Sequence, residues 1–347
     1  MREENIIYIV TRLFDFAEKL KAESLERAVL KGIQAARDAS VQQANALSTF
    51  VPFRDTAQDT LRGSNQARVI YEADLVRLEN LFAIVGYFDG VSKDEGICME
   101  VGYAYALSKP ILFIVTDFLL YRLKQKPSIR FYYDPILERM TGYLIRNSTL
   151  PEADGFEQRL LTAISSIHDQ VSHTVSDLIA HPSKYTSSLP AQVARPGHRP
   201  LVLLEFGGGL FEWQRLLAPR LYELLRQKTE CEAAITHRYS GDSTSSYEAG
   251  EKDIALAVMA DMLVVCTDSE EMNAGSAALV GFGKALNKPV VLYDSKATIS
   301  FAEGAQEMSR NLMIDCAATE VVSELESIPD IIASLYPDQA GRRGRAK

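Results

Sequence analysis

The stretch DEGICMEVGYAYALSKPI at residues 94–111 recurs as NAGSAALVGFGKALNKPV at 273–290, a constant 179 positions later and without a gap. The register holds back to Asp74, which falls on Asp253. Asp89 falls on Asp268, Gly96 on Gly275, Gly102 on Gly281, Ala106 on Ala285 and Pro110 on Pro289. Repetition at one offset implies a domain duplicated in tandem. The shared small residues of the two stretches need no ligand to explain them, because they let a helix lie close on a sheet.

The surrounding pattern says what kind of domain is duplicated. Short apolar runs at 6–10, 83–87 and 111–115 alternate with amphipathic segments at 15–36, 74–81 and 97–108. The second half repeats this with runs at 201–204, 263–266 and 290–293 and helical segments at 211–226 and 276–286. Continuous β-branched runs separated by helices predict parallel strands covered on both faces. The expected fold is therefore α/β: two tandem doubly wound, Rossmann- or flavodoxin-like domains forming a pseudo-dimer. The first domain is placed at 1–150 and the second at 201–335, with a basic tail over 336–347. A helix at about 156–180 and the Pro/Ser-rich stretch 181–200 read as the connection between them.

Composition removes several functions. A net charge of −9 argues against a nucleic-acid binder, which would present a basic face. The four cysteines and five histidines have no ligand spacing, so no metal site and no cofactor are expected, and the thiols read as reduced. There is no signal peptide and no apolar run of membrane-spanning length, which points to a cytoplasmic protein without membrane partners.

One residue breaks the apolar pattern. Glu100 lies between Met99 and Val101 on a face shared with Gly96, Tyr103 and Ala104, where a carboxylate is costly without a reason. It sits about one turn into a helix opened by Gly96, near the positive end of the helix dipole, which favours its ionised form. The ordinary alternative is a partly buried glutamate with a local partner. Asp74 reads either as a functional carboxyl or as a cap of its own helix, and Asp94 as a site residue or a solvated loop acid. Tyr8 and Phe14 taken alone are equally readable as core aromatics.

Read together, I-Y-x-x-x-x-L-F at 7–14, V-P-F-R-D at 51–55, Y-E-A-D-L at 71–75, a strand ending in Asp89 and D-E-G-x-x-M-E-x-G-Y-A-Y-A-L-x-K-P at 94–110 resemble the nucleoside 2-deoxyribosyltransferase family. The resemblance runs from Ile6 to about Val115. It implies an enzyme of nucleotide salvage, a pentosyltransferase that exchanges bases on 2-deoxyribose through a covalent glycosyl ester. Its small-molecule partners would be nucleosides and free bases. In that family's terms Glu100 matches the nucleophile, Tyr8 the residue holding it, and Asp74 the carboxyl beside the base. Asp94 matches a contact to a sugar hydroxyl, and Phe14 a pocket aromatic. A carboxylate at 94 would repel a phosphate, which points to nucleosides rather than nucleotides. The family's usual Gly-Pro before Leu-Phe is Thr11-Arg12 here. Two other functions remain open: an N-glycosidase that lets water resolve the ester, and a non-catalytic nucleotide-binding regulatory module.

The second copy has Leu279 in place of Glu100, Asn273 in place of Asp94 and Glu205 in place of Tyr8, and is expected to be inert as a transferase. It retains Arg310-Asn311-Leu312-Met313-Ile314, which matches the segment that family members lend to a neighbouring subunit's sugar site. The resemblance therefore implies a composite pocket, with Glu100 from one copy and Asn311 and Met313 from the other. It also implies a homo-oligomer, three pseudo-dimeric chains standing in for a hexamer. The run Phe206-Gly-Gly-Gly-Leu210 reads as a tight turn or as a loop able to cradle phosphate, without the spacing of a dinucleotide fingerprint.

Overall fold

The computed structural model describes residues 5–12, 15–56, 66–90, 93–152, 154–192, 199–268, 272–295 and 311–336. Phe14, one of the expected pocket residues, lies outside them, as does most of the basic tail. The chain forms two compact units, one of residues 1–119 and 140–189, the other of residues 120–139 and 190–347.

In the first unit, strands β1 (Asn5–Val10), β2 (Leu47–Phe50), β3 (Leu81–Tyr87), β4 (Ile111–Val115) and β5 (Tyr143–Arg146) make one parallel sheet in the order β2-β1-β3-β4-β5. Helices α1 (Phe16–Asp38), α2 (Gln66–Glu79) and α3 (Glu95–Ala106) make the connections, and α4 (Phe156–Ala180) follows the last strand. Asp15 starts α1 by accepting the Glu18 N–H at 2.9 Å. The β1, β3 and β4 runs are buried almost throughout, as a sheet covered on both faces requires. Helix α4 packs along α1, and Gly32 sets their spacing: a Cβ there would lie 2.6 Å from the Ser172 carbonyl oxygen.

The second unit repeats the design. Strands β6 (Leu201–Glu205), β7 (Glu232–Ile235), β8 (Met262–Cys266), β9 (Val290–Tyr293) and β10 (Glu320–Val322) form a parallel sheet ordered β7-β6-β8-β9-β10. Helices α5 (Glu212–Lys228), α6 (Ser246–Met259) and α7 (Ala274–Ala285) occupy the places of α1, α2 and α3. Numbered within each copy, both sheets read 2-1-3-4-5, the flavodoxin-like doubly wound order. The repeated aspartates do the same work in each. Asp89 accepts from the backbone and hydroxyl of Thr116, and Asp268 from those of Ser295, so each pins the end of its third strand to the fourth.

The compact units do not follow the linear division at residues 150 and 200. Helix α4, read as part of a connection, is core of the first unit, with Ile167, Val171, Val175 and Leu178 buried in its cluster. Residues 120–139 belong with the second unit. There Arg139 pairs with Glu251, Ser246 donates to Glu138 at 2.6 Å, and a Cβ on Gly250 would lie 2.1 Å from the Pro135 carbonyl oxygen.

The strongest tie is ionic. The Arg238 guanidinium, wholly buried, donates to Asp134 at 2.9 Å, to Glu205 at 3.0 and 3.2 Å, to Asp253 at 3.3 Å and to Asn273 at 2.6 Å. Burial works against its charge, but the surrounding carboxylates prevail and hold it protonated. Burial likewise raises Glu205, yet Arg238 and the Ser276 hydroxyl bring it below the usual range. Removing one partner of such a cluster strands the other charges in a dry interior. Arg238→Ala should cost the second unit about 3–5 kcal/mol, read as a lowered unfolding midpoint in urea. An unchanged midpoint would mean that the cluster is not a stabilising tie.

Candidate active site

The first unit brings three of the expected residues together at one end of its sheet. Tyr8 on β1 and Glu100 on α3 come from positions 92 residues apart, and the tyrosine hydroxyl donates to Glu100 Oε1 at 2.9 Å. Glu100 is 5% exposed, Tyr8 0% and Asp74 2%. Glu100 reaches this place because α3 packs its small-residue face on the sheet, every residue from Gly96 to Ala106 being buried.

Burial governs the protonation of the group. It is the largest cause raising Glu100 well above the ordinary glutamate value, and the neighbouring Asp74 and Asp94 carboxyls raise it further against the Tyr8 hydrogen bond. Desolvation thus opposes the helix dipole, which favours the ionised form. Burial pushes Asp74 up from 3.8 to about 7. Tyr8 is raised by burial and then by Glu100 and Asp74, so it remains a hydroxyl that can donate.

Asp74 lies deep inside α2, as Asp253 lies inside α6, so neither caps its helix. Its Oδ1 is buried and has no hydrogen-bond partner among the described residues. A buried carboxyl oxygen left without a partner is expensive, and a substrate group is the kind of partner that would satisfy it. The Thr11 hydroxyl, just beyond β1, is buried and unpartnered in the same sense. Sequence reasoning noted Thr11 only as a departure. Phe50, whose ring stands 5.1 Å from that of Tyr8, was missed as well, and the signal was its place one residue before V-P-F-R-D.

Asp94 is half-buried and caps α3, accepting the Ile97 N–H at 2.9 Å. Burial raises it, while the Ile97 and Gly96 amides and the Arg12 charge pull it down. It is thus neither a solvated loop acid nor free of structural duty. Gly96 is buried in the first turn of the same helix. Arg12 pairs with Glu18 at 3.3 Å. Asn311, in the second unit, starts a short helix, α8 (Leu312–Ala317), by accepting the Met313 N–H at 2.9 Å. The expected contribution of Asn311 and Met313 to a sugar site rests on the resemblance.

The corresponding region of the second unit is filled. Arg238 bonds to Glu205, Asp253 and Asn273, and a Cβ on Gly275 would lie 2.3 Å from Asp134 Oδ1. Leu279, at the place of Glu100, is fully buried. The sheet register also corrects one correspondence. Tyr8 pairs with Ile84, whose counterpart Leu263 pairs with Leu203, so Glu205 lies two residues beyond the position of Tyr8, on the same face of its strand.

No group of three His, Cys, Asp or Glu side chains among the described residues is placed to hold a metal ion, and no described helix is long and apolar enough to cross a membrane. A doubly wound parallel α/β domain with a tyrosine-held carboxylate and a second buried carboxyl is a scaffold for nucleophilic and acid–base chemistry. Residues 31–153 match the family model of nucleoside 2-deoxyribosyltransferase, a span that takes in Asp74, Asp94 and Glu100. A search of curated proteins finds no match.

The raised Asp74 has a measurable cost. Its folded form binds the proton more tightly than the unfolded chain does, so its penalty is absent below pH 3.8 and grows as pH rises toward about 7. Above that the penalty is on the order of 4 kcal/mol. Asp74→Asn should therefore melt higher than the parent at pH 8, with the difference shrinking toward pH 4. A variant that melts lower at pH 8 would show that Asp74 is a net stabiliser.

Proposed function

We propose that the chain is a nucleoside 2-deoxyribosyltransferase that moves 2-deoxyribose between bases through an ester to Glu100. The observation that supports this most is the buried Glu100–Tyr8 pair, at 2.9 Å, beside a second carboxyl poised near neutrality.

The chemistry follows from the two carboxyls. A Glu100 oxygen attacks C1′ of the deoxynucleoside while the C1′–N bond breaks and its electron pair leaves with the base. Asp74 supplies the proton that the departing nitrogen needs. In the second half-reaction a ring nitrogen of the incoming base attacks C1′ from the opposite face and passes its proton to Asp74. The C1′–O bond breaks, and its pair returns to Glu100. Two inversions give net retention.

With one proton between the two carboxyls, placing it on Asp74 leaves Glu100 as the anion, and the Tyr8 hydroxyl favours that distribution by donating to the charged oxygen. Tyr8 also keeps the nucleophile oriented in a site where a misplacement of about 1 Å is costly. Asp94 supports a nucleoside over a nucleotide, because a second anion beside it in a poorly solvated cleft is repelled.

Incubation with deoxyinosine and adenine should yield deoxyadenosine, and Glu100→Ala should abolish it. Retained exchange in that variant removes the nucleophile from the proposal. Without an acceptor base, little free deoxyribose should form; rapid release of the sugar would assign a hydrolase instead. The kcat/KM for base release should fall as pH rises through about 7, because Asp74 must then carry the proton. Asp74→Asn should flatten that limb, and a limb unchanged in the variant would place the essential acid elsewhere.

A further inference from the structure

The second unit has a cavity distinct from its filled cleft. It has a volume of about 410 Å³ and lies at the carboxyl ends of β6 and β7, between the glycine loop and the first turns of α5. That volume lies within the range of small-molecule sites, and open parallel sheets bind ligands at this end. Among the described residues, none that lines it is acidic.

Its polar groups converge on an anion. Gly207, Gly208 and Gly209 all have positive φ, at 61°, 61° and 78°, so the loop turns back tightly before α5 begins. Gln214 in the first turn is 3% exposed and lines the cavity. Its Oε1 accepts the Phe211 N–H at 3.0 Å, which fixes the amide's orientation and leaves Nε2 as a donor without a hydrogen-bond partner among the described residues. Arg215 donates its Nε to the Gly209 carbonyl at 2.7 Å, which holds the guanidinium at the rim, and no carboxylate pairs with it among the described residues. His237 and Thr236 add further polar groups, while Phe206, Ala218 and Ile235 supply an apolar and aromatic wall.

An amide donor on a buried glutamine and an arginine that no described carboxylate pairs with suit phosphate oxygens. An adjoining aromatic and aliphatic wall suits a flat ring. We propose that this cavity binds a small phosphate monoester carrying a flat heterocycle, of the size of a nucleoside monophosphate, its phosphate held by Arg215 and Gln214. The site is independent of Glu100 and stands whether or not the first unit is a transferase.

The test is calorimetric titration of the full chain with dAMP, deoxyadenosine and inorganic phosphate, before and after Arg215→Glu. Arg215 is exposed, so the variant should fold as the parent does, which its melting temperature checks. Saturable dAMP binding that weakens at least tenfold in the variant, with any deoxyadenosine binding left unchanged there, supports the site. No dAMP binding, or binding that Arg215→Glu leaves unchanged, overturns it. Deoxyadenosine binding that Arg215→Glu weakens as much as it weakens dAMP binding overturns the anion anchor, and Arg215-dependent phosphate binding as tight as that of dAMP overturns the ring subsite. Gln214→Leu gives an independent arm, since it removes the donor while keeping the volume, and an unaltered dAMP affinity there also counts against the proposal.

Discussion

Desolvation of Glu100 is the constraint on which the first unit is organised. A carboxyl sealed under β1 and α3 resists ionisation, and so does Asp74 beside it, so the pair competes for protons in a way that neither would in water. The bond from the Tyr8 hydroxyl to Glu100 works in the opposite direction. Raised carboxyls of this kind weaken a fold at neutral pH, and they cluster at functional sites. The orphaned Asp74 oxygen and the Thr11 hydroxyl fit the same economy, because both are polar atoms whose hydrogen-bonding capacity is held in reserve.

The second unit shows the same scaffold with the opposite solution. Its sheet has the same order, and Asn273 starts α7 as Asp94 starts α3. Where the first unit leaves carboxyls poised and under-satisfied, the second inserts a guanidinium that satisfies Glu205, Asp253 and Asp134 at once. A cleft saturated by its own charges has no donor or acceptor to offer a substrate. With Leu279 at the place of Glu100, the second unit has internal pairing there instead.

That exchange did not close the whole face. The glycine loop, which reads as a tight turn or a phosphate cradle, makes a tight turn whose glycines have two neighbours to accommodate. A Cβ on Gly207 would lie 2.4 Å from Gln214 Nε2, and one on Gly208 would lie 2.6 Å from Arg238 Cγ. Gly208 thus seats the ionic plug on one side and borders the cavity on the other.

The sequence by itself determined the α/β class, the repeated strand–helix pattern, most buried strands and the choice of Glu100, Tyr8 and Asp74 as the residues to watch. These are written in local periodicity and in a carboxylate set where apolar residues belong, and both survive in any fold that buries the pattern. Short edge strands such as β2 and β7 carry too little pattern to stand out, and their pairing with β1 and β6 made them strands. Only the tertiary structure assigned residues 120–139 to the second unit, because the bonds that hold Asp134 to Arg238 span 104 positions of chain. It also set the burial that raises Glu100. A helix dipole can be read from sequence order, whereas desolvation depends on everything packed around the group.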